Sequence, residues 1–270
     1  MSKLLVKPSG TTGRVVDVTP ESAGWTYVGF ALHKLKPGDT VTGGEPDREA
    51  CLVLVSGKAS ISAGETQFGS VGRRMSPFDG KPSSVYVPAG MDWTATAETE
   101  VELAVCTAPG TPGARPPRLI AEDDNGQEVR GKGSNVRHVT NILPETAEAD
   151  GLLVVEVITP AGNTSSYPPH RHDEDDLPQQ SSLEETYYHR INPPQGFAFQ
   201  RVYTDADASG RREIDEAMAV EDGDTTLVPK GYHPCATIHG YDLYYLNVMA
   251  GPKRLWRFHN APEHEWLLKA

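Results

Sequence analysis

Two histidines stand one residue apart in the stretch SSYPPHRHDEDDLPQQSSLEETYYHR, which runs from Ser165 to Arg190. Alternate residues of a strand share a face, so His170 and His172 project to the same side. Glu185 follows 13 residues beyond His172, past a polar loop and at the head of the next strand-like run. His233 comes after the turn signal VPKGY, near the start of a later run. Three imidazoles and one carboxylate entering one barrel would hold a divalent cation and leave room for water or substrate. Neutral imidazole is available near pH 7, and the carboxylate offsets part of the charge of the ion. Zinc, manganese and iron all accept such a donor set. An H-x-H pair is weak evidence alone, but here it comes with E-x-Y-Y on one strand and P-x-G-x-H on another.

The remaining polar residues nearby have plainer readings. Asp173 to Asp176 form a solvated acidic loop. Glu184 and Glu185 are adjacent, so only one can face inward, and the distance to the following tyrosines selects Glu185. His189 shares the face of Glu185 and Tyr187 and lines the pocket, whereas His239, His259 and His264 fall in or beside loops.

The elements that must position these residues read as strands. WTYVGFALHKL (25–35), ACLVLV (50–55), SSVYVP (83–88) and VELAVC (101–106) occupy the first half. LLVVEVIT (152–159), ETYYHRI (185–191), GFAFQRVYT (196–204), TTLVP (225–229) and YDLYYLNVMAG (241–251) occupy the second. Short β-type runs broken by Gly, Pro, Asn and Asp clusters predict an all-β sandwich or barrel. A weak internal repeat pairs Glu49 with Glu185 at an offset of 136 and Pro88 with Pro229 at 141, which suggests two related β-domains in tandem. The expected division is a first domain over 1–110, a Pro- and Gly-rich connector over 111–140, and a second domain over 141–270 that holds the metal site.

The bulk numbers narrow the partners. The chain has 270 residues, 37% hydrophobic and 23% charged, which suffices for a large core. A formal charge of -12 argues against nucleic-acid or anionic-membrane binding, while one pocket arginine could still hold an acidic small molecule. The start, MSKLLVKPSGTTGR, reads as neither a signal peptide nor a membrane span. Cys51, Cys106 and Cys235 read as buried thiols in a reducing compartment, so the expected location is cytoplasmic.

The His/Glu/His pattern resembles the two motifs of the cupin superfamily, with longer spacings and no asparagine at the usual distance after His233. RGKGSNVRHVTNILPE, SSYPPHRHD, LEETYYHRINPPQGF, QRVYT, LVPKGYHP and GYDLYYLNVMAGP together resemble the bacterial 5-deoxy-glucuronate isomerases of myo-inositol breakdown. That resemblance implies a bicupin, two tandem double-stranded β-helix (jelly-roll) barrels, and an aldose–ketose isomerisation of a sugar acid. It implies one working site, since Asp92 stands where His233 has its counterpart and no H-x-H precedes Glu49. The first barrel would then be scaffold or a homo-oligomer interface.

Such a reaction moves a proton between neighbouring carbons through an enediol. A metal on His170, His172, Glu185 and His233 would stabilise it. Tyr187, His189, Tyr203 and Tyr244, or a metal-bound hydroxide, are the candidates for proton handling, with Tyr244 also a substrate contact. Arg201 is the first choice for the substrate carboxylate, with Lys230 and Arg254 in reserve. Rival readings are an isomerase of 5-keto-4-deoxyuronate, a cupin dioxygenase and a non-catalytic sugar-binding cupin.

Overall fold

A computed structural model describes residues 2–269. A six-stranded sheet runs in the order Arg118–Ile120, Ser83–Val87, Arg48–Ser56, Val101–Pro109, Gly29–Leu35, Gly13–Val18. It faces a four-stranded sheet ordered Thr40–Gly43, Trp93–Ala97, Ala59–Ala63, Thr66–Val71, and the two close a first barrel. The second barrel sets a seven-stranded sheet against a four-stranded one. The larger sheet is ordered Leu5–Val6, Thr225–Val228, Glu184–Asn192, Asp242–Ala250, Leu153–Thr159, Arg137–Leu143, Gly126–Arg130. The smaller is ordered Thr164–Ser165, Cys235–Thr237, Phe197–Tyr203, Asp215–Glu221. Among the described residues no helix is long and apolar enough to cross a membrane.

The two large sheets lie back to back, and this explains why their strands are apolar on both faces. Along Arg48–Ser56, Ala50, Leu52 and Leu54 fill the first barrel, while Cys51, Val53 and Val55 enter a layer shared by both barrels. Along Asp242–Ala250, Leu243, Tyr245 and Met249 fill the second barrel, while Tyr244, Leu246 and Val248 enter that shared layer. Tyr244 is therefore not a pocket residue. It is fully buried between the barrels, and its hydroxyl donates to Glu156 Oε2 at 3.0 Å. The three cysteines are free and buried.

Polar groups in the shared layer are paired across it. The Arg74 guanidinium of the first barrel donates to both carboxylate oxygens of Glu156 in the second, at 2.8 and 2.7 Å. Reciprocally, Glu102 of the first barrel accepts from Tyr188 and Arg190 of the second. Two further carboxylates cap each other's loops. Glu184 accepts the backbone N–H groups of Thr26, Tyr27 and Val28, at 2.7, 2.6 and 3.0 Å. Glu49 accepts those of Asp150, Gly151 and Leu152, at 2.8, 2.6 and 2.6 Å.

These matching roles correct the repeat. Glu49 is the counterpart of Glu184 and not of Glu185, so Ala50 occupies the position of Glu185 in the first barrel. The division at 110 and 140 is also crossed by the chain. Leu5 and Val6 pair with Thr226 and Thr225 in the second barrel, and Arg118–Ile120 pairs with Ser84–Tyr86 in the first. Arg118–Ile120 and Gly126–Arg130 make strands of much of the expected connector.

A buried charge stripped of its partner is costly. Arg74→Ala should lower the free energy of unfolding by about 3–5 kcal/mol, read from denaturant titration, because Glu156 stays buried without its cation.

Candidate metal centre

Each candidate ligand sits at the head of a strand or ribbon. His170 lies in a two-residue ribbon paired with His259–Asn260, so the C-terminal segment holds it in place. His172 is tied to Leu183 twice: its carbonyl accepts the Leu183 N–H at 2.8 Å, and its Nδ1 lies 3.2 Å from the Leu183 carbonyl. Glu185 opens Glu184–Asn192, between Val228 and Met249 on the neighbouring strands. His233 follows Gly231, whose φ of 88° turns the chain and whose N–H donates to Asp173 at 2.7 Å.

The structure brings these side chains together. One donor atom from each of His170, His172 and His233 lies within 4.8 Å of the others. Glu185 Oε2 reaches two of them, at 3.1 Å from His172 Nε2 and 3.2 Å from His233 Nε2. The far nitrogens are engaged elsewhere. His233 Nδ1 donates to the Gly231 carbonyl at 2.9 Å, and His170 bonds the Pro168 carbonyl. With its Nδ1–H on the Gly231 carbonyl, His233 leaves its Nε2 lone pair facing the centre, while His172 Nε2 bonds Glu185 Oε2. His233 Nε2 is buried without a hydrogen-bond partner, since Glu185 is close but out of line. A buried imidazole nitrogen with its lone pair unused, beside two others and an acid, fits a divalent cation.

The electrostatics agree with that donor set. Burial presses the His170 imidazolium down, and His233 and His172 beside it add to this, so the ring is neutral. Burial opposes the charge on Glu185, yet His233 and the bond from His172 hold its carboxyl down to about 2. Burial also opposes charge on His172, but the Glu185 bond and charge outweigh it and raise its pKa.

Deeper in the barrel, Tyr187 stands 5.7 Å from His233 between ring centroids, and its hydroxyl is 2.9 Å from Ser166 Oγ. Next to it, His189 Nε2 lies 3.0 Å from Gln200 Oε1 and 3.2 Å from Thr226 Oγ1. Its Nδ1 has no partner, and burial pushes its pKa down to about 4. A cavity of about 170 Å³ is walled by Leu153, Val155, Met249 and Trp256, with Arg130 and Arg257 on its polar side; Met249, the strand partner of Glu185, is its link to the centre, and none of the four ligand candidates lines it.

The other expected site residues lie elsewhere. Arg201 is on the outer face of Phe197–Tyr203, 44% exposed and 2.7 Å from Asp215; the side chain facing inward is Gln200. Tyr203 shares the outer face with Arg201 and stacks on Tyr232 at 5.1 Å, next to Ala261 of the C-terminal segment. Lys230 is half-buried and paired with Glu213 at 2.6 Å. Arg254 donates to the carbonyls of Leu143, Pro144, Glu145, Ala147 and Leu152, bracing the turn between strands. His239 is exposed, while His259 and His264 are half-buried. Sequence reasoning missed Ser166, Gln200 and Asn247. Asn247 lies in phase with Tyr245 and Met249, so it faces the barrel, and its Nδ2 is buried without a partner. That phase was the available signal.

An antiparallel barrel with three imidazoles and an acid at its mouth, backed by a second barrel, is a cupin architecture with a metal-type centre. A model of the KduI/IolB family matches residues 4–267, and the chain belongs to that family. It is 54% identical over 273 residues to the 5-deoxy-glucuronate isomerase of Geobacillus kaustophilus, covering 100% of this chain and 97% of the relative. It is 49% identical over 277 residues to that of Halalkalibacterium halodurans, covering both chains in full (100% each). The crystal structure of an IolB-like protein from Salmonella typhimurium superposes with a TM-score of 0.95 at 53% identity, over 98% of this chain and 99% of the other. The oxalate decarboxylase of Lactobacillus farciminis shares the fold, with a TM-score of 0.63 at 12% identity, over 100% of this chain and 91% of that one.

Because Glu185 raises the proton affinity of His172, a bound cation must displace a proton there, and affinity falls with pH. Metal content after dialysis should drop sharply between about pH 8 and about pH 5.5, measured by plasma mass spectrometry. His172→Ala should lose the metal at both.

Proposed function

We propose that this chain is a 5-deoxy-glucuronate isomerase, converting 5-deoxy-D-glucuronate to 5-dehydro-2-deoxy-D-gluconate. The supporting observation is the buried, unpartnered His233 Nε2 beside His170, His172 and Glu185, in a chain that matches isomerases of that name end to end. The reaction is redox-neutral: the hydroxyl-bearing carbon and its hydroxyl each lose a proton to give the ketone, while the aldehyde carbon and its oxygen each gain one to give a primary alcohol. A divalent cation held by His170, His172, Glu185 and His233 would supply Lewis acidity to the two oxygens.

The chain's own groups do the rest. Tyr187, whose phenol burial keeps protonated and whose ring packs against His233, is the proposed donor to the developing oxyanion. Ser166 fixes its direction. Neutral His189, hydrogen-bonded to Gln200 and Thr226, packs behind Tyr187 at 6.0 Å and orients it. Arg130 and Arg257 are the choice for the carboxylate in place of Arg201, because they line the cavity; each is paired with an acid, Glu128 and Glu145, whose place a substrate carboxylate would take. Apolar Leu153, Val155 and Met249 limit water around the reacting carbons.

Proton NMR of the protein with 5-deoxy-D-glucuronate in deuterated water should show the ketose forming, with label where solvent exchange occurs. An unchanged substrate spectrum with metal-loaded protein would refute this assignment. Tyr187→Phe should keep the metal and lower kcat by about 10²–10⁴, the usual yield of one positioned acid or base. A kcat within a few-fold of the parent would remove Tyr187 from the chemistry.

A further inference from the structure

The first barrel has kept its mouth open although it lacks the ligands of the second. A cavity of about 560 Å³ enters it, well within the range of small-molecule sites. Ala50, where the second barrel has Glu185, presents only a methyl group to it. His33 is only 6% exposed, lines this cavity from Gly29–Leu35, and makes no hydrogen bond among the described residues. Burial, with Arg14 nearby, pushes its pKa down to about 4, so it offers both a donor and an acceptor at neutral pH.

Two glycines clear room for the walls. A Cβ on Gly29 would lie 2.3 Å from Thr107 Oγ1, where the Thr107 hydroxyl accepts from Arg48 Nη2 at 3.1 Å. A Cβ on Gly43 would lie 2.5 Å from the Trp93 indole, which lies across that strand and walls the cavity. The charges on the lining are Arg14 and Arg48 against Asp17, Glu21, Glu45 and Asp47, two cations to four anions. That balance disfavours an anion. An indole wall, a neutral imidazole, a hydroxyl, a guanidinium and carboxylates suit paired hydroxyl groups on an uncharged ring or chain.

We propose that the first barrel is a second ligand site, taking a neutral sugar or polyol and not the carboxylate-bearing substrate of the metal centre. It stands whether or not the metal centre isomerises 5-deoxy-D-glucuronate. The full-length protein is titrated calorimetrically with D-glucose and D-sorbitol, and with D-glucuronate as the anionic comparator. Bound probe is located by hydrogen exchange. Expected is saturable binding of a neutral probe with slowed exchange across Gly29–Leu35 and Trp93–Ala97. Affinity should fall at least about tenfold in His33→Leu and in Ala50→Phe, which fills the space left by the small side chain, and stay unchanged in His172→Ala.

The proposal fails if neither neutral probe binds, if binding survives both cavity variants, or if it vanishes in His172→Ala. It fails equally if D-glucuronate protects those two strands more strongly than the neutral probes. Should the cavity variants not fold, the exchange pattern of the unaltered protein decides. Protection at those strands supports the site, and protection confined to the second barrel overturns it.

Discussion

Glu184 and Glu185 point in opposite directions because a strand repeats every two residues, and most of the molecule follows from that alternation. One carboxylate leaves the barrel to gather three backbone N–H groups of the neighbouring domain. The next turns inward to meet two imidazoles. The same strand therefore fixes the barrels to each other and supplies the acid of the centre. Shifting its register by one residue would bury the wrong carboxylate on each side.

The centre relies on backbone carbonyls as much as on its own side chains. Leu183, Gly231 and Pro168 each occupy one nitrogen of an imidazole, so ring orientation is set by strand and turn geometry. Those turns are themselves pinned: Gly231 by Asp173, and the His170 ribbon by the C-terminal segment. Preorganisation of this kind spares a bound ion the cost of ordering its own ligands.

Much of this was legible in the sequence. The apolar runs 50–55, 101–106, 152–159 and 185–191 fall within Arg48–Ser56, Val101–Pro109, Leu153–Thr159 and Glu184–Asn192, apart from one residue at the edge of 152–159. The four ligand candidates were visible as motifs with strand spacing, and they do converge. What failed was facing. Asp242–Ala250 is buried on both sides, so polarity could not show whether Tyr244 or Tyr245 looks into the barrel. In Phe197–Tyr203, Phe199 and Arg201 share the outer face, and the inward residue, Gln200, looked the less chemical of the two. Strands without a long apolar run, such as Arg137–Leu143 and Asp215–Glu221, were missed because their polar residues hide the period. Glu49 was matched to the wrong glutamate because Glu184 and Glu185 are neighbours, and only the loops they cap tell them apart.

The pairing of Leu5 and Val6 with Thr226 and Thr225 has a practical side. The strand they support, Thr225–Val228, runs directly into the turn that delivers His233, and Lys7 anchors the same corner through Asp224 at 2.7 Å. The opening residues thus belong to the far barrel's wall, although their sequence neighbours build the near one. A substitution at Leu5 or Val6 that breaks this pairing would bear on the histidine nearly 230 positions downstream. For a tethered or immobilised form of this protein, the segment around His259 and Asn260 offers no safer anchorage, because it clasps His170. An internal, solvent-facing turn such as that around Gly210 is the better place to attach anything.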